Sequence, residues 1–208
     1  MRKYTNLPYI EKDVAVGNFG YSRNNAPIDR IVLHSTGGQV DGALAWFNNP
    51  AAGVSAHYVI GNDGTLYALL EEYYVAYHAG NLAMNNRSIG IEHEGYTGMV
   101  RSEKEYDTSI KLVADICKEY NIPCDRTHII AHREVVQTAC PTDLDVDRIV
   151  AGAYKILHPI DPRDQQIKDL QIKIIELIKN LANKDIECQQ RLQDYKDKVI
   201  KLVQDSTI

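Results

Sequence analysis

A chain of 208 residues that is 44% apolar is long enough for one ordinary domain with a real core, plus an appendage. Its net charge of −5 argues against a generally basic, nucleic-acid-binding surface; the tail from Asp161 onward is charge-balanced, so the acidic excess lies in the first 160 residues. No stretch approaches the roughly 18 consecutive apolar residues of a membrane span, and the opening MRKYTNLPYIEKD lacks the apolar core of a signal peptide, so neither membrane insertion nor a cleaved leader is expected.

In chain order, residues 1–28 contain Pro8, Gly17, Gly20 and Pro27 and read as an irregular lead-in with at most one short strand. Arg30 to Leu33 is an apolar strand that delivers His34 to a Ser-Thr-Gly-Gly turn. Asp41 to Asn48 combines helix formers with an apolar face and is stopped by Asn49-Pro50; its Trp46 and Phe47 are assigned to the core. Two β-rich runs in VSAHYVIGNDGTLYALL flank Asn62-Asp63-Gly64, a hairpin signal that predicts adjacent antiparallel strands. A loop rich in Gly and Asn follows, and then Ile89 and Ile91 alternate around Gly90 in a strand that ends in Glu92, His93 and Glu94.

Between Glu103 and Tyr120 the period changes to 3.6: Ile110, Val113, Ala114, Cys117 and Tyr120 share one face, and Asn121-Ile122-Pro123 ends the helix. A short buried strand at Ile129 and Ile130 leads to His132, and Cys140 follows eight positions later across a loop. Val146 to Leu157 is a second amphipathic helix, with Asp143, Asp145 and Asp147 near its positive N-terminal end. Strands interleaved with helices, plus one hairpin, predict an α/β fold with a mixed central β-sheet flanked by helices, over residues 1–159.

Residues 160–208 differ in kind. Ile167, Leu170, Ile174, Leu177 and Leu181 repeat at coiled-coil spacing, and so do Cys188, Leu192, Tyr195, Val199 and Leu202, with a four-residue slip between the halves that puts Asp185 on the seam. A long helix cannot bury such a stripe alone, so a homo-oligomer through this helix is expected; a fold-back near Asn183 and docking on the domain are the alternatives.

The chemistry concentrates in IVLHSTGG and THIIAHREVVQTACPTDLD. Two histidines and one cysteine at strand ends, His34, His132 and Cys140, make a three-ligand set of the kind a catalytic zinc uses, with a fourth tetrahedral position for water. A lone histidine is more often a surface or satisfied core residue, and spacing alone leaves that role open for each of them. Cys117, Cys124 and Cys188 lack the dense spacing of a disulfide scaffold and are expected as free thiols.

The ordered motifs IVLHSTGG, SAHYVIGNDG, YHAG, RSIGIEHEG and AHREVVQTACP resemble the zinc-dependent N-acetylmuramoyl-L-alanine amidases of type 2, over about residues 25–157. The resemblance implies Zn2+ bound by His34, His132 and Cys140, bacterial peptidoglycan as the partner, and cleavage of the amide between N-acetylmuramic acid and L-alanine of the stem peptide. It further implies catalytic roles for Glu92, as general base or acid, and Thr138, near the substrate oxyanion, with His78 in the substrate groove; Glu94, on the same face of the strand as Glu92, is the weaker acid/base candidate and is placed with His78 in substrate binding. Ala56 stands where T7-type lysozymes carry a tyrosine, and Thr142 replaces the usual glycine after Cys140-Pro141. The leading expectation is a phage-type endolysin made in the host cytoplasm and released to the cell wall. Its competitors are a cytosolic muropeptide-recycling amidase, a non-catalytic peptidoglycan recognition module and an adaptor built around the coiled coil.

Overall fold

Short β-branched runs supply the centre of the fold. In chain order the elements are β1 (Ile10–Glu11), β2 (Phe19–Gly20), β3 (Arg30–Ser35), α1 (Val40–Phe47), β4 (Tyr58–Ile60), β5 (Leu66–Ala68), β6 (Val75–Ala76) and α2 (Leu82–Arg87). They continue with β7 (Ser88–His93), α3 (Glu103–Tyr120), β8 (Ile129–Ala131), a 3-10 turn (His132–Glu134), α4 (Val146–Leu157) and α5 (Pro162–Asp205). This computed structural model describes residues 3–159 and 161–205. The chain divides into two compact units, residues 1–159 and 160–208.

The first unit is the expected mixed sheet. Its six strands lie in the order β1-β5-β4-β7-β3-β8, and β2 pairs with β6 in a separate two-stranded ribbon. Only β4 and β5, the two sides of the Asn62-Asp63-Gly64 turn, run antiparallel in the main sheet; β4, β7, β3 and β8 are mutually parallel. Ile31, Leu33, Ile89, Ile91 and Ile129 are wholly enclosed. Each such side chain contributes about 1.5–3 kcal/mol of apolar burial. The short β1, β2 and β6 carry too little periodicity to be read from sequence.

Helices α3 and α4 cover one face of this sheet through Leu112, Val113, Ile116, Ile149 and Ala153. Ser102 caps α3 by accepting from Glu105 N, and Asp145 caps α4 by accepting from Arg148 N. Gly152 lets α3 and α4 approach closely, because a Cβ there would fall 2.5 Å from Ile110 Cδ1. Helix α2 falls where a loop was expected: LAMNNR has no amphipathic stripe, and its N-terminus is held by Asn81 accepting from Met84 N. Helix α1 lies where expected, with Phe47 buried as predicted; Trp46 is 50% exposed, a correction to its assignment to the core.

The second unit is one uninterrupted helix of 44 residues, with no break near Asn183. Ile167, Leu170, Ile174, Leu177 and Leu181 form an exposed stripe along it. The seam positions Val199 and Leu202 lie outside the residues whose side chains are described. Among the described residues, no helix is long and apolar enough to cross a membrane.

Candidate active site

Three parallel strands end at one edge of the sheet, and residues at or just past their ends carry the chemistry. His34 on β3 stands in register with Glu92 on β7, while β8 ends at Ala131 in register with the neighbouring Leu33 and hands over directly to His132. Side chains alternate along a strand, so His34 and Glu92 face the same side of the sheet and His93 faces the other. There His93 is enclosed, bonded to the His34 carbonyl (2.9 Å) and to Ser109 Oγ of α3 (2.8 Å). The carboxyl ends of parallel strands are where open α/β sheets place their ligands.

Cys140 reaches this edge from the loop after the 3-10 turn. Its Sγ lies 3.8 Å from His34 Nδ1 and accepts a hydrogen bond from Ser35 N (3.3 Å). The His34 and His132 ring centres are 4.4 Å apart. One donor atom from each of His34, His132 and Cys140 lies within 4.8 Å of the others. Donors sharing a tetrahedral zinc at bond lengths of about 2.0–2.3 Å sit roughly 3.3–3.8 Å apart, so the three side chains are already near that spacing.

The donor atoms carry a second sign of fit. His132 Nε2 is enclosed and has no hydrogen-bond partner among the described residues. Burial holds His34 well below and His132 below the ordinary histidine range, so both are neutral and able to offer a lone pair. Burial pushes the Cys140 thiol up to about 11, with Glu92 adding to the effect and the Ser35 N–H opposing it. A thiolate here needs a cation beside it. Two neutral imidazoles and one thiol, one imidazole nitrogen being orphaned, suit a zinc ion.

Glu92 stands next to this group. Its Oε2 is enclosed and has no hydrogen-bond partner among the described residues, and burial pushes the carboxyl up to about 8. Beside it runs a groove of about 400 Å³ walled by Thr36, Gly38, Gln39, Gly42, Trp46 and Phe47.

Residues 24–143 match the family described as N-acetylmuramoyl-L-alanine amidase. The chain belongs to that family. Amidase A of Achromobacter lyticus is 35% identical over 107 residues, covering 50% of this chain and 59% of that protein. Endolysin 2638A of Staphylococcus phage 2638A is 33% identical over 72 residues, 33% of this chain and 15% of that protein. The chain thus spans less than two thirds of these curated relatives. Among solved structures, the amidase endolysin LysCS of Clostridium intestinale is 25% identical with a TM-score of 0.54, covering 71% of this chain and 96% of that one. A mutant endolysin from Bacillus subtilis superposes with a TM-score of 0.58 at 24% identity, covering 71% and 99%. The mixed sheet with flanking helices is the fold of these neighbours.

Within this amidase-family fold, the expected site residues separate. His34, His132, Cys140 and Glu92 come together. Thr138 sits on the same loop as Cys140, and its Oγ1 accepts from Cys140 N (3.3 Å), leaving its own proton to donate. His78 was expected in the substrate groove, and the structure corrects this: the ring is buried behind His34, Nδ1 to Nε2 at 3.0 Å. Glu94, the other expected substrate contact, is committed to the fold, accepting from Val40 N (3.3 Å) and Asn62 N (2.7 Å). Thr142 occupies the left-handed region with φ of 52°, the conformation for which a glycine is the usual choice.

Sequence reasoning missed Ser35, whose amide supports Cys140, and Arg101, which donates to Ser35 Oγ at 2.5 Å. Ser35 directly follows His34 in the motif and was available as a candidate. Arg101 had no local signal, since it lies 66 positions from its partner.

Proposed function

We propose that this chain is a zinc-dependent peptidoglycan hydrolase that cleaves the amide between N-acetylmuramic acid and L-alanine, in the manner of an endolysin. The observation that carries the reading is the convergence of His34, His132 and Cys140, with the orphaned His132 Nε2, beside the enclosed carboxyl of Glu92. Zinc bound there would supply a Lewis acid for the scissile carbonyl and for an attacking water. Glu92 then takes the proton of that water and hands it to the departing L-alanine nitrogen. A carboxyl whose proton affinity is raised by burial is suited to both transfers. The Thr138 hydroxyl is positioned by Cys140 N to donate toward the oxyanion. The groove past Trp46 receives the remainder of the substrate. The relatives named amidase and endolysin support this assignment. They also support synthesis in a phage-infected host followed by release to the wall.

Mass spectrometry of digested sacculi tests the reading. The expected products are free stem peptides beginning at L-alanine, abolished by a chelator and restored by Zn2+. Glu92→Gln is expected to keep bound zinc while losing about 10²- to 10⁴-fold in rate. Zinc-loaded, folded protein that releases no peptide from walls would turn the assignment to binding only. Cleavage confined to soluble muropeptides would turn it to a recycling amidase.

The stripe on α5 supports association of that helix with a second copy, proposed as a coiled coil.

A further inference from the structure

His78, in a turn with Ala79 and Gly80, touches His34, and each of its contacts has a direction set by chemistry. Ser88 Oγ lies 2.6 Å from the Met84 carbonyl and 3.1 Å from His78 Nε2. A carbonyl only accepts, so the Ser88 hydroxyl donates its single proton to Met84 and faces His78 as an acceptor. His78 Nε2 therefore carries a proton, and His78 Nδ1 carries a lone pair. That lone pair is 3.0 Å from His34 Nε2, which must then be the protonated nitrogen of His34. The unprotonated Nδ1 of His34 is the atom that faces Cys140.

The turn itself is clamped, because Asn85 Oδ1 accepts from both His78 N (3.3 Å) and Ala79 N (2.8 Å). Gly90 on β7 completes the seat: a Cβ there would fall 2.5 Å from His78 Cγ.

We propose that the His78-Ala79 turn is a positioning device for the metal site, fixing the tautomer of His34 so that His34 Nδ1 is presented to the ion. It acts through the chain Met84 carbonyl, Ser88, His78, His34. This rests on the zinc site proposed above, yet the tautomer of His34 is a property of the protein alone. Partners that orient ligating histidines in this way are typically worth about 10- to 100-fold in metal affinity.

Two measurements test it. Long-range 15N–1H spectra of the metal-free protein should report His34 protonated at Nε2; protonation at Nδ1 would overturn the proposal whatever the protein does with zinc. Competition against a chromophoric chelator should then give zinc affinity for the parent, His78→Phe and His78→Asn, each checked for folding by thermal unfolding. His78→Phe keeps the ring's bulk without its nitrogens and should bind zinc about 10- to 100-fold more weakly. His78→Asn keeps an acceptor at the place of Nδ1 and should recover most of that loss. Equal affinities for all three, or equal losses in both variants, would reduce His78 to a packing role. A parent that binds no zinc would instead overturn the metal site, and the positioning device with it.

Discussion

At the scale of single residues, burial decides how the site's groups titrate. His93 is the clearest case: enclosed between the His34 carbonyl and Ser109, it is driven down to about 3, with desolvation the leading cause. A histidine whose folded value lies below its unfolded 6.5 takes up a proton on unfolding. Its contribution is therefore fully present above about pH 6.5 and is lost as pH falls toward 3, at about 1.4 kcal/mol per pH unit. Urea unfolding between pH 6.5 and 4.5 should show the parent losing stability on acidification, and His93→Asn should give a shallower slope. An identical slope in the variant would mean that His93 is not kept neutral by the fold. The type of each donor was legible in the motifs; which nitrogen of His34 faces inward was not, because that choice belongs to a partner, His78, that arrives from elsewhere in the chain.

At the scale of elements, parallel pairing does the assembling. Strands β3, β7 and β8 carry His34, Glu92 and His132 at or just past their carboxyl ends, and only their common direction brings the three to one edge. Helix α1 then forms a wall beside that edge. Its buried Phe47 anchors it, while Trp46, half in solvent, lines the groove that Glu92 shares. An exposed aromatic face contributes about 1–2 kcal/mol to binding when covered. Trp46→Ala is accordingly expected to raise KM on cell-wall substrate about 5- to 30-fold with kcat little changed, the pattern of an interaction made equally in ground and transition states. An unchanged KM would remove Trp46 from the binding surface. The helical period of residues 41–48 located α1 correctly, yet periodicity does not say which large apolar side chain on a short helix meets the core.

At the scale of the whole molecule, a compact mixed-sheet unit is joined to a helix of 44 residues whose apolar stripe is exposed. The second half of that stripe is flanked by Lys184, Arg191, Lys196 and Lys198. In a parallel pair these flanks bring like charges together, Arg191 opposite Lys196 of the other copy. Self-association through α5 should therefore strengthen as salt screens the repulsion. Light scattering is expected to give a multiple of the 23.5 kDa chain mass that grows from low to high ionic strength, and a monomer after truncation at Pro159. A monomeric full chain at every salt concentration would reject the homo-oligomer. By itself, the sequence determined the layer architecture, the main strands and helices and the kinds of atom offered to a metal, since these follow from local periodicity and residue chemistry. Only the tertiary structure decided that His78 turns inward behind His34, that Glu94 is spent on backbone amides and that Trp46 faces the groove. Side-chain direction at such points is set by long-range strand register and by hydrogen-bond partners dozens of residues away, which no local pattern encodes.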